Sequence, residues 1–188
     1  MNDAIRIIRQ RRSVRKYKEE QFPMEDCKAI VEAGLYAPSS MNTQTWHFLV
    51  LRSKESIDRL HKEVKGANER LEDTVYKKYV GASGYVMHYG APTFIVVAAD
   101  PGKTQSPEAD CALAMENMFL AARSLGIGSC WINQLNPICD EPGMRALLTE
   151  MGLPSSHKIY ASAAFGYPAT DFPDALPRKG QVSWVGEK

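Results

Sequence analysis

Apolar residues recur at helical spacing in two segments near the start of the chain. Ile5 and Ile8 mark the first segment, and Cys27, Ile30 and Leu35 mark the second. Residues three and four positions apart share one face of a helix, and the proline ahead of the second segment suits a first helical turn. The pattern predicts two helices that flank a short basic turn.

Shorter apolar runs have the length of β-strands. They lie at 47–51, 93–98, 129–133 and 159–165. The run at 93–98 is apolar without alternation, which is typical of a strand covered on both faces. We therefore expect this strand at the centre of a sheet.

A long apolar helix is predicted over 109–125. Ser106, Pro107 and Glu108 combine a capping hydroxyl, a first-turn proline and an acid, which is how helices often begin. Only a narrow polar strip surrounds Glu116, so the helix should be buried on most sides, in the core or at an interface.

The remaining segments are less regular. A helix that begins with proline is predicted at 142–151, and the charged stretch 53–78 is predicted to be helical in part, with an interruption at 66–68. Helices and strands thus intermingle along the chain. The tail after 168 is rich in Pro and charge and cannot form a core alone, so we expect it to wrap over the body or a partner.

Length and charge narrow the class of protein. The chain has 188 residues, enough for one well-buried domain over 1–188 and too few for two ordinary ones. Lys and Arg number 23 against 22 Asp and Glu, so the formal charge of +1 does not indicate nucleic acid or an anionic membrane. The sequence shows no signal-peptide core and no membrane-length apolar run, so we expect a cytoplasmic protein that binds small molecules or itself.

Cysteines and histidines show no metal-binding spacing. The four cysteines form no Cys-x-x-Cys pair and the four histidines are scattered, so neither zinc nor disulfides are predicted and the thiols should be reduced and packed. The sequence also lacks a Gly-x-Ser-x-Gly elbow. A Ser/His/Asp triad stays open, because its members need not be neighbours in sequence.

The segment 37–48, Ala-Pro-Ser-Ser-Met-Asn-Thr-Gln-Thr-Trp-His-Phe, is rich in neutral hydrogen-bonding groups. Such groups suit the binding of a polar, ring-shaped ligand better than a nucleophilic attack on that ligand. Asn42 and Gln44 each carry a donor and an acceptor, as the edge of a pyrimidine-like ring requires. The alternative is a connection whose side chains bond their own backbone, with Trp46 part of the core.

Arg-Arg-Ser-Val-Arg at 11–15 gathers three guanidinium groups and a hydroxyl. Guanidinium forks match phosphate oxygens in pairs, so this group is apt for a phosphate monoester. Two alternatives are a solvated basic surface and a nucleic-acid-binding arm over 6–18; the near-zero net charge argues against the arm. Two further cationic residues lie at 178–179, and they would be functional only if they lie close to the segment 11–15.

Gly126 and Gly128 resemble part of a dinucleotide-binding fingerprint. The third glycine is missing, and the two follow a helix rather than a strand, so we set that interpretation aside. A tight helix-to-strand turn that brings backbone groups near a ligand stays open. Cys130 is interpreted as packed rather than reactive, because no cation can be assigned to it.

In this order and spacing, the motifs resemble those of the flavin-dependent nitroreductase family, in its short-chain branch. The likeness covers nearly the whole chain. It includes the motifs at 11–15 and 37–48, Gly-Ala-Pro-Thr at 90–93, Ser-Leu-Gly-Ile-Gly-Ser-Cys-Trp-Ile at 124–132, Phe-Gly-Tyr-Pro at 165–168 and the basic tail. Thr45 departs from the family, which usually has Pro before the Trp, and this concerns the loop path more than the ligand.

The resemblance implies an α+β fold with a central, mainly antiparallel sheet surrounded by helices. It also implies an intertwined homodimer with one FMN at each subunit interface and a C-terminal tail, about 168–188, that wraps the body or the partner. The phosphate and ring edge would be held by Arg11, Arg12, Ser13 and Arg15, with Arg178 or Lys179 closing over the phosphate. The flavin would be lined by Pro38, Ser39, Ser40, Asn42 and Gln44, some from the other subunit, and contacted by Asn68, Asn133 and Gln134.

The chemistry implied by the resemblance belongs to the cofactor. NAD(P)H would reduce FMN and leave, and a nitroaromatic, quinone or related acceptor would take its place in a ping-pong reaction. No side chain need be catalytic, and the stretch 53–90 would form a lid that selects the acceptor. The alternative is a non-catalytic or specialised flavin-binding redox protein of the same fold.

Overall fold

Helices surround one sheet in the computed structural model, which describes residues 2–70 and 76–186. The helices are α1 (Asp3–Gln10), α2 (Met24–Leu35), α3 (Lys54–Arg70), α4 (Lys77–Val80), α5 (Pro107–Ser124) and α6 (Pro142–Glu150). The strands are β1 (Trp46–Leu51), β2 (Thr93–Ala99), β3 (Gly128–Trp131) and β4 (Lys158–Gly166). Short 3-10 turns lie at Ser40–Asn42 and Asn136–Ile138. The predicted strands are therefore confirmed.

The sheet has the strand order β1-β2-β4-β3, and each neighbouring pair is antiparallel. β2 lies between β1 and β4, and all of its residues are buried. The prediction that the run at 93–98 forms the centre of the sheet is confirmed. The α+β class is confirmed with it.

Alternate residues of β2 supply two cores, one on each face of the sheet. Phe94 and Val96 pack in a cluster with α3 and α6, whereas Ile95 and Val97 pack in a cluster with α2 and α5. Successive side chains of a strand point to opposite faces, so an unbroken apolar run is needed where both faces are covered. This explains the lack of alternation in β2.

α5 is buried along most of its length, as predicted. It begins with Pro107 at its first turn and ends before Gly126, and Glu116 faces outward. One detail of the prediction is wrong, because the Ser106 hydroxyl makes no capping bond. Instead, the Ser106 N–H donates to Thr104 Oγ1 at 3.3 Å.

The interruption predicted at 66–68 is wrong, since α3 continues through Gly66 to Arg70. A glycine inside a helix costs about 1 kcal/mol relative to alanine. Val64 and Ala67 are fully buried in the core on one face of α3, and this packing outweighs the local cost. The 71–75 part of the predicted 53–78 stretch lies outside the described residues.

Cys27, Cys111, Cys130 and Cys139 are buried as free thiols, which confirms that they are packed. Within 2–70 and 76–186, none of the helices is long and apolar enough to span a membrane.

Candidate functional site

The segment 11–15 lies along the edge of the sheet, beside β3. The Val14 N–H donates to the Ser129 carbonyl at 2.9 Å, and Ser13 pairs with Ser129 in a parallel bridge. Gly128 permits this close approach, because a Cβ there would lie 2.8 Å from Val14 Cγ2. Val14 is buried, so the cationic residues around it are held against a rigid strand.

The guanidinium groups of this segment have few acidic partners. Arg11 Nε lies 3.2 Å from Glu116 Oε1, and Arg12 Nη1 donates to the Arg11 carbonyl at 2.5 Å. Arg12 Nε is buried and has no hydrogen-bond partner among the described residues, and Arg15 is exposed. An unsatisfied buried donor costs about 1–3 kcal/mol, which an anionic ligand placed here would offset.

Crowding of positive charge extends to α5. Burial, and then the charges of Arg6 and Arg12, lower the pKa of Arg123. Its Nε is also buried, with no partner in the part of the chain that the structure describes. Because arginine does not deprotonate in proteins, these guanidiniums repel one another until an anion joins them. The potential here suits a phosphate group.

The loop between α2 and β1 has an unusual backbone. Met41, Asn42 and Gln44 have φ values of 51°, 54° and 49°, in the left-handed region that favours glycine. Such conformations cost about 1–2 kcal/mol each and persist only where the surrounding structure holds them. Backbone strain of this kind often marks a binding site.

Hydrogen bonds hold the loop in this shape. Asp110 Oδ1 accepts from the Ser40 N–H at 2.8 Å, while its Oδ2 accepts from Thr104 Oγ1 at 2.6 Å, so the buried start of α5 anchors the loop. Within the loop, the Gln44 N–H donates to Ser39 Oγ at 3.0 Å and Gln44 Nε2 donates to Asn42 Oδ1 at 2.8 Å. The alternative of local bonding is therefore confirmed for Ser39. Pro38, Asn42 and Gln44 are exposed.

Two polar atoms at the end of the loop are buried without partners. They are Thr45 Oγ1 and Trp46 Nε1, neither of which finds a hydrogen bond within the described residues. Trp46 packs against the core beside Phe48, with ring centroids 6.4 Å apart, which supports its interpretation as a core residue. Buried polar atoms usually have a hydrogen-bond partner, so this loop has two buried polar atoms whose hydrogen bonds are not made among the described residues of the single chain.

Beyond β3, two amides are tied to tyrosines from the 76–90 segment. Asn133 Nδ2 donates to the Tyr76 hydroxyl at 2.9 Å, and the Tyr85 hydroxyl donates to Gln134 Oε1 at 2.5 Å. Burial raises the pKa of Tyr85, so its phenol remains a donor. Sequence reasoning missed both tyrosines, although the density of tyrosine between 76 and 89 was a visible signal.

The remaining predicted site residues are Asn68, Arg178 and Lys179. Asn68 is fully buried in α3 and donates from Nδ2 to the Val64 carbonyl at 2.8 Å. Arg178 and Lys179 are exposed on a tail without helix or strand. In the same tail, Phe172 packs under Arg123, whose guanidinium carbon is 3.9 Å from the ring centroid.

Cys130 lies near the cationic segment but is not activated by it. Burial raises the pKa of its thiol, and Arg15 and Ser13 offset this effect only in part. The structure thus supplies the nearby cation that the sequence did not reveal. The prediction that Cys130 is packed is confirmed all the same, since the residue is buried.

Together, the fold and the site define a protein with a cationic segment on the β3 edge of its sheet and a strained polar loop that leads into β1 at the other edge. The model of the Nitroreductase family matches residues 8–167. The chain belongs to this family.

Known proteins resemble the chain over nearly its full length. A relative from Archaeoglobus fulgidus, whose name pairs NADH dehydrogenase with NAD(P)H nitroreductase, is 34% identical over 172 residues, covering 89% of this chain and 87% of the relative. A nitroreductase with bound FMN from Bacteroides fragilis has 42% identity and a TM-score of 0.86, over 100% of this chain and 98% of that one. A second nitroreductase with bound FMN, from Desulfitobacterium hafniense, has 29% identity and a TM-score of 0.87, over 98% and 99%. The nitroreductase-like fold is thereby confirmed.

Proposed function

We propose that this protein is an FMN-dependent NAD(P)H oxidoreductase that passes electrons to nitroaromatic, quinone or related acceptors by a ping-pong mechanism. The solved nitroreductases that it resembles contain FMN, and its curated relative carries an NAD(P)H nitroreductase name. The observation that carries the proposal is the cationic segment 11–15, which is hydrogen-bonded to β3 and contains a buried Arg12 Nε with no partner among the described residues.

The residues present fit the two ends of FMN. For the phosphate, Arg11, Arg12 and Arg15 provide guanidinium donors and Ser13 provides a hydroxyl. The backbone of this segment is paired with β3 at Ser13. For the ring, Asn42 and Gln44 provide amide edges on an exposed, strained loop. Each group has the donor chemistry that its end of the ligand requires.

FMN held by these residues would supply the hydride and electron transfer between NAD(P)H and the acceptor. The side chains of this protein would bind the cofactor and orient its ring. Among them, Tyr85 holds Gln134, and Tyr76 holds Asn133, at the end of β3 where the resemblance expects ring contacts. Firm placement of such donors is the protein's contribution to chemistry that the cofactor performs.

We further propose a homodimer that completes each site. α1 is strongly amphipathic, yet none of its residues is buried, and Ile5 and Ile8 are about half exposed. In the tail, Trp184 is 76% exposed and Val185 96%. Large apolar side chains left uncovered in several places favour burial against a second copy. In that dimer, Arg178 or Lys179 of the exposed tail would close over a phosphate.

The decisive test is the absorption spectrum of the purified protein, followed by its reduction with NADH and NADPH under anaerobic conditions. We expect a yellow protein that is bleached by one or both donors and recovers its colour when a quinone or nitroaromatic is added. A colourless protein that neither takes up FMN nor oxidises NAD(P)H would refute the proposal. A protein that binds FMN but is not reduced on the time scale of turnover would instead be a non-catalytic flavin protein.

A further inference from the structure

A buried carboxylate contacts the strained loop that precedes β1. It belongs to Asp110, which lies in the first turn of α5 and is 2% exposed. Acidic side chains are almost never buried to this degree unless hydrogen bonds or cations satisfy their oxygens. The positive end of the α5 dipole favours a negative charge at this place. The hydrogen-bond partners of Asp110 supply the rest of what its buried charge requires.

The two oxygens of Asp110 bind different segments of the chain. Oδ1 accepts from the Ser40 N–H at 2.8 Å, at the start of the strained part of the loop. Oδ2 accepts from Thr104 Oγ1 at 2.6 Å, and Thr104 Oγ1 in turn accepts from the Ser106 N–H at 3.3 Å. Hydrogen bonds to a carboxylate are stronger than those between neutral groups. Asp110 therefore joins both the loop and the connection before α5 to the helix.

The loop needs an anchor, because its backbone is strained directly after Ser40. Three residues of the 41–44 stretch have positive φ values, between 49° and 54°. The Met41 side chain is 86% exposed, so its packing does not hold the backbone in this conformation. Strained conformations persist only where neighbouring structure fixes them. The Ser40 bond to Asp110 ties the loop to α5, whereas the Gln44 N–H bonds within the loop.

We infer that Asp110 is a positioning residue for FMN, which holds the 39–44 loop in its ring-binding shape before the cofactor binds. Asn42 and Gln44, whose amides are proposed to meet the flavin, follow the anchored Ser40 within four residues. Asp110 is itself buried, so it acts through this backbone and not by contact with the ligand. A loop that already has its bound shape loses less conformational freedom on binding. The inference rests on the proposed function, in which this loop lines the flavin.

The first test is Asp110→Asn in the full-length protein, which keeps the size of the side chain and removes its charge. FMN affinity, measured by the quenching of flavin fluorescence, should fall about tenfold, because the bond to the Ser40 N–H loses its charge assistance. Glu108→Gln is the matched control, since it removes the same charge from the same turn of α5 at an exposed position. This control should bind FMN within about twofold of the parent. Equal affinities of the Asn variant and the parent would overturn the inference.

Hydrogen exchange in FMN-free protein separates loop positioning from general damage. Asp110→Asn should speed amide exchange in a peptide spanning 39–44 by about tenfold and leave β2 as slow as in the parent, because a local anchor is lost. Uniformly faster exchange, or an unchanged loop, would overturn the inference. If the Asn variant does not fold, Thr104→Val provides the same test. It removes the hydroxyl that donates to Oδ2, so it should also speed exchange in the loop and not in β2.

A second substitution tests whether the carboxylate acts by opposing the strain of the loop. Met41→Gly removes the Cβ that disfavours the positive φ at this position. Added to Asp110→Asn, it should recover about threefold in FMN affinity. In the parent it should change the affinity by less, because Asp110 already holds the loop. A double variant that binds FMN no better than Asp110→Asn would overturn the inference.

FMN content and the rate of reduction by NAD(P)H are measured in the same preparations. If the parent protein takes up no FMN, the proposed function fails, and the role of Asp110 toward the cofactor fails with it. If the parent takes up FMN and is reduced by NAD(P)H, yet the variants behave contrary to expectation, only the role of Asp110 is wrong.

Discussion

Arg11 Nε lies 3.2 Å from Glu116 Oε1, and this pair joins the cationic segment to the polar strip of α5. Burial raises the pKa of Glu116, and the nearby Arg11 lowers it only in part. The ionised form of Glu116 therefore lowers the stability of the folded chain, even though it lies beside Arg11.

Replacing Glu116 by Gln should raise the melting temperature of FMN-free protein slightly at pH 7. The folded-state pKa is above the unfolded value, so ionised Glu116 costs stability at high pH, and this cost disappears as pH falls through the folded pKa. For a half-exposed group we expect about 1–2 °C at pH 7 and no difference in acid. Melting curves across this range provide the measurement.

Glu141→Gln is the control with the opposite sign. Arg70 lowers the pKa of Glu141 in the folded chain, and Glu141 also accepts from the Met144 N–H at 3.0 Å. Its stabilisation is present above the unfolded pKa and is lost as pH falls through the folded pKa. The Gln variant should therefore melt lower than the parent at pH 7 and approach it in acid. Parallel behaviour of the two variants would contradict this account.

Changing Arg11 and Arg15 together to Ala should release FMN and leave the fold intact. Each charged hydrogen bond to phosphate contributes about 1.5–3 kcal/mol, so the loss should exceed about 100-fold in affinity. Flavin retained after gel filtration is the measurement. Arg59→Ala, which removes a surface pair with Glu150, is the matched control and should retain FMN. Equal flavin content in the two variants would disprove the phosphate assignment.

Gly128→Ala should loosen the cationic segment from β3. The new Cβ would lie 2.8 Å from Val14 Cγ2 and 2.9 Å from Val14 Cβ, and Val14 is too buried to move freely. Overpacking of this kind costs about 1–3 kcal/mol, and FMN affinity should fall as well. The control is Gly81→Ala, whose Cβ would meet only Lys77 O at 3.5 Å. If both variants unfold at the parent's denaturant concentration, the close approach is not important.

Thr45→Val should stabilise the FMN-free protein by about 1–2 kcal/mol, because Thr45 Oγ1 is buried without a partner among the described residues. The free energy of unfolding in urea tests this. Thr93→Val is the control: Thr93 Oγ1 donates to Gln21 Oε1 at 2.8 Å, so its loss should destabilise by about 1–3 kcal/mol. Destabilisation by Thr45→Val would show that the hydroxyl is satisfied in solution.

Local patterns predicted most of the fold. The unbroken apolar run of β2 indicated a strand covered on both faces, since packing demands apolar residues at every position there. The prediction failed at Gly66, where a local penalty of about 1 kcal/mol was outweighed by buried neighbours that the segment alone does not reveal. Local signals are weak next to tertiary packing.

Within the candidate site, the sequence indicated which groups were present and the fold determined how they are arranged. Arg11–Arg15 could be recognised as apt for phosphate, but its attachment to β3 depends on the absence of a Cβ at Gly128. Tyr76 and Tyr85 were missed, because their partners Asn133 and Gln134 lie about fifty residues further along the chain. Contacts between residues so far apart in the chain produce no periodic pattern in the sequence.

The sequence by itself determined the helices and strands, the packed thiols, the supply of guanidiniums and amides, and the family, because spacing and residue chemistry are local properties. The tertiary structure alone decided that Arg11 meets Glu116, that the 39–44 loop is held in a left-handed path by Asp110, and that the Tyr85 hydroxyl donates to Gln134. These depend on side chains that are distant in sequence meeting in one packed arrangement, which only the whole fold specifies.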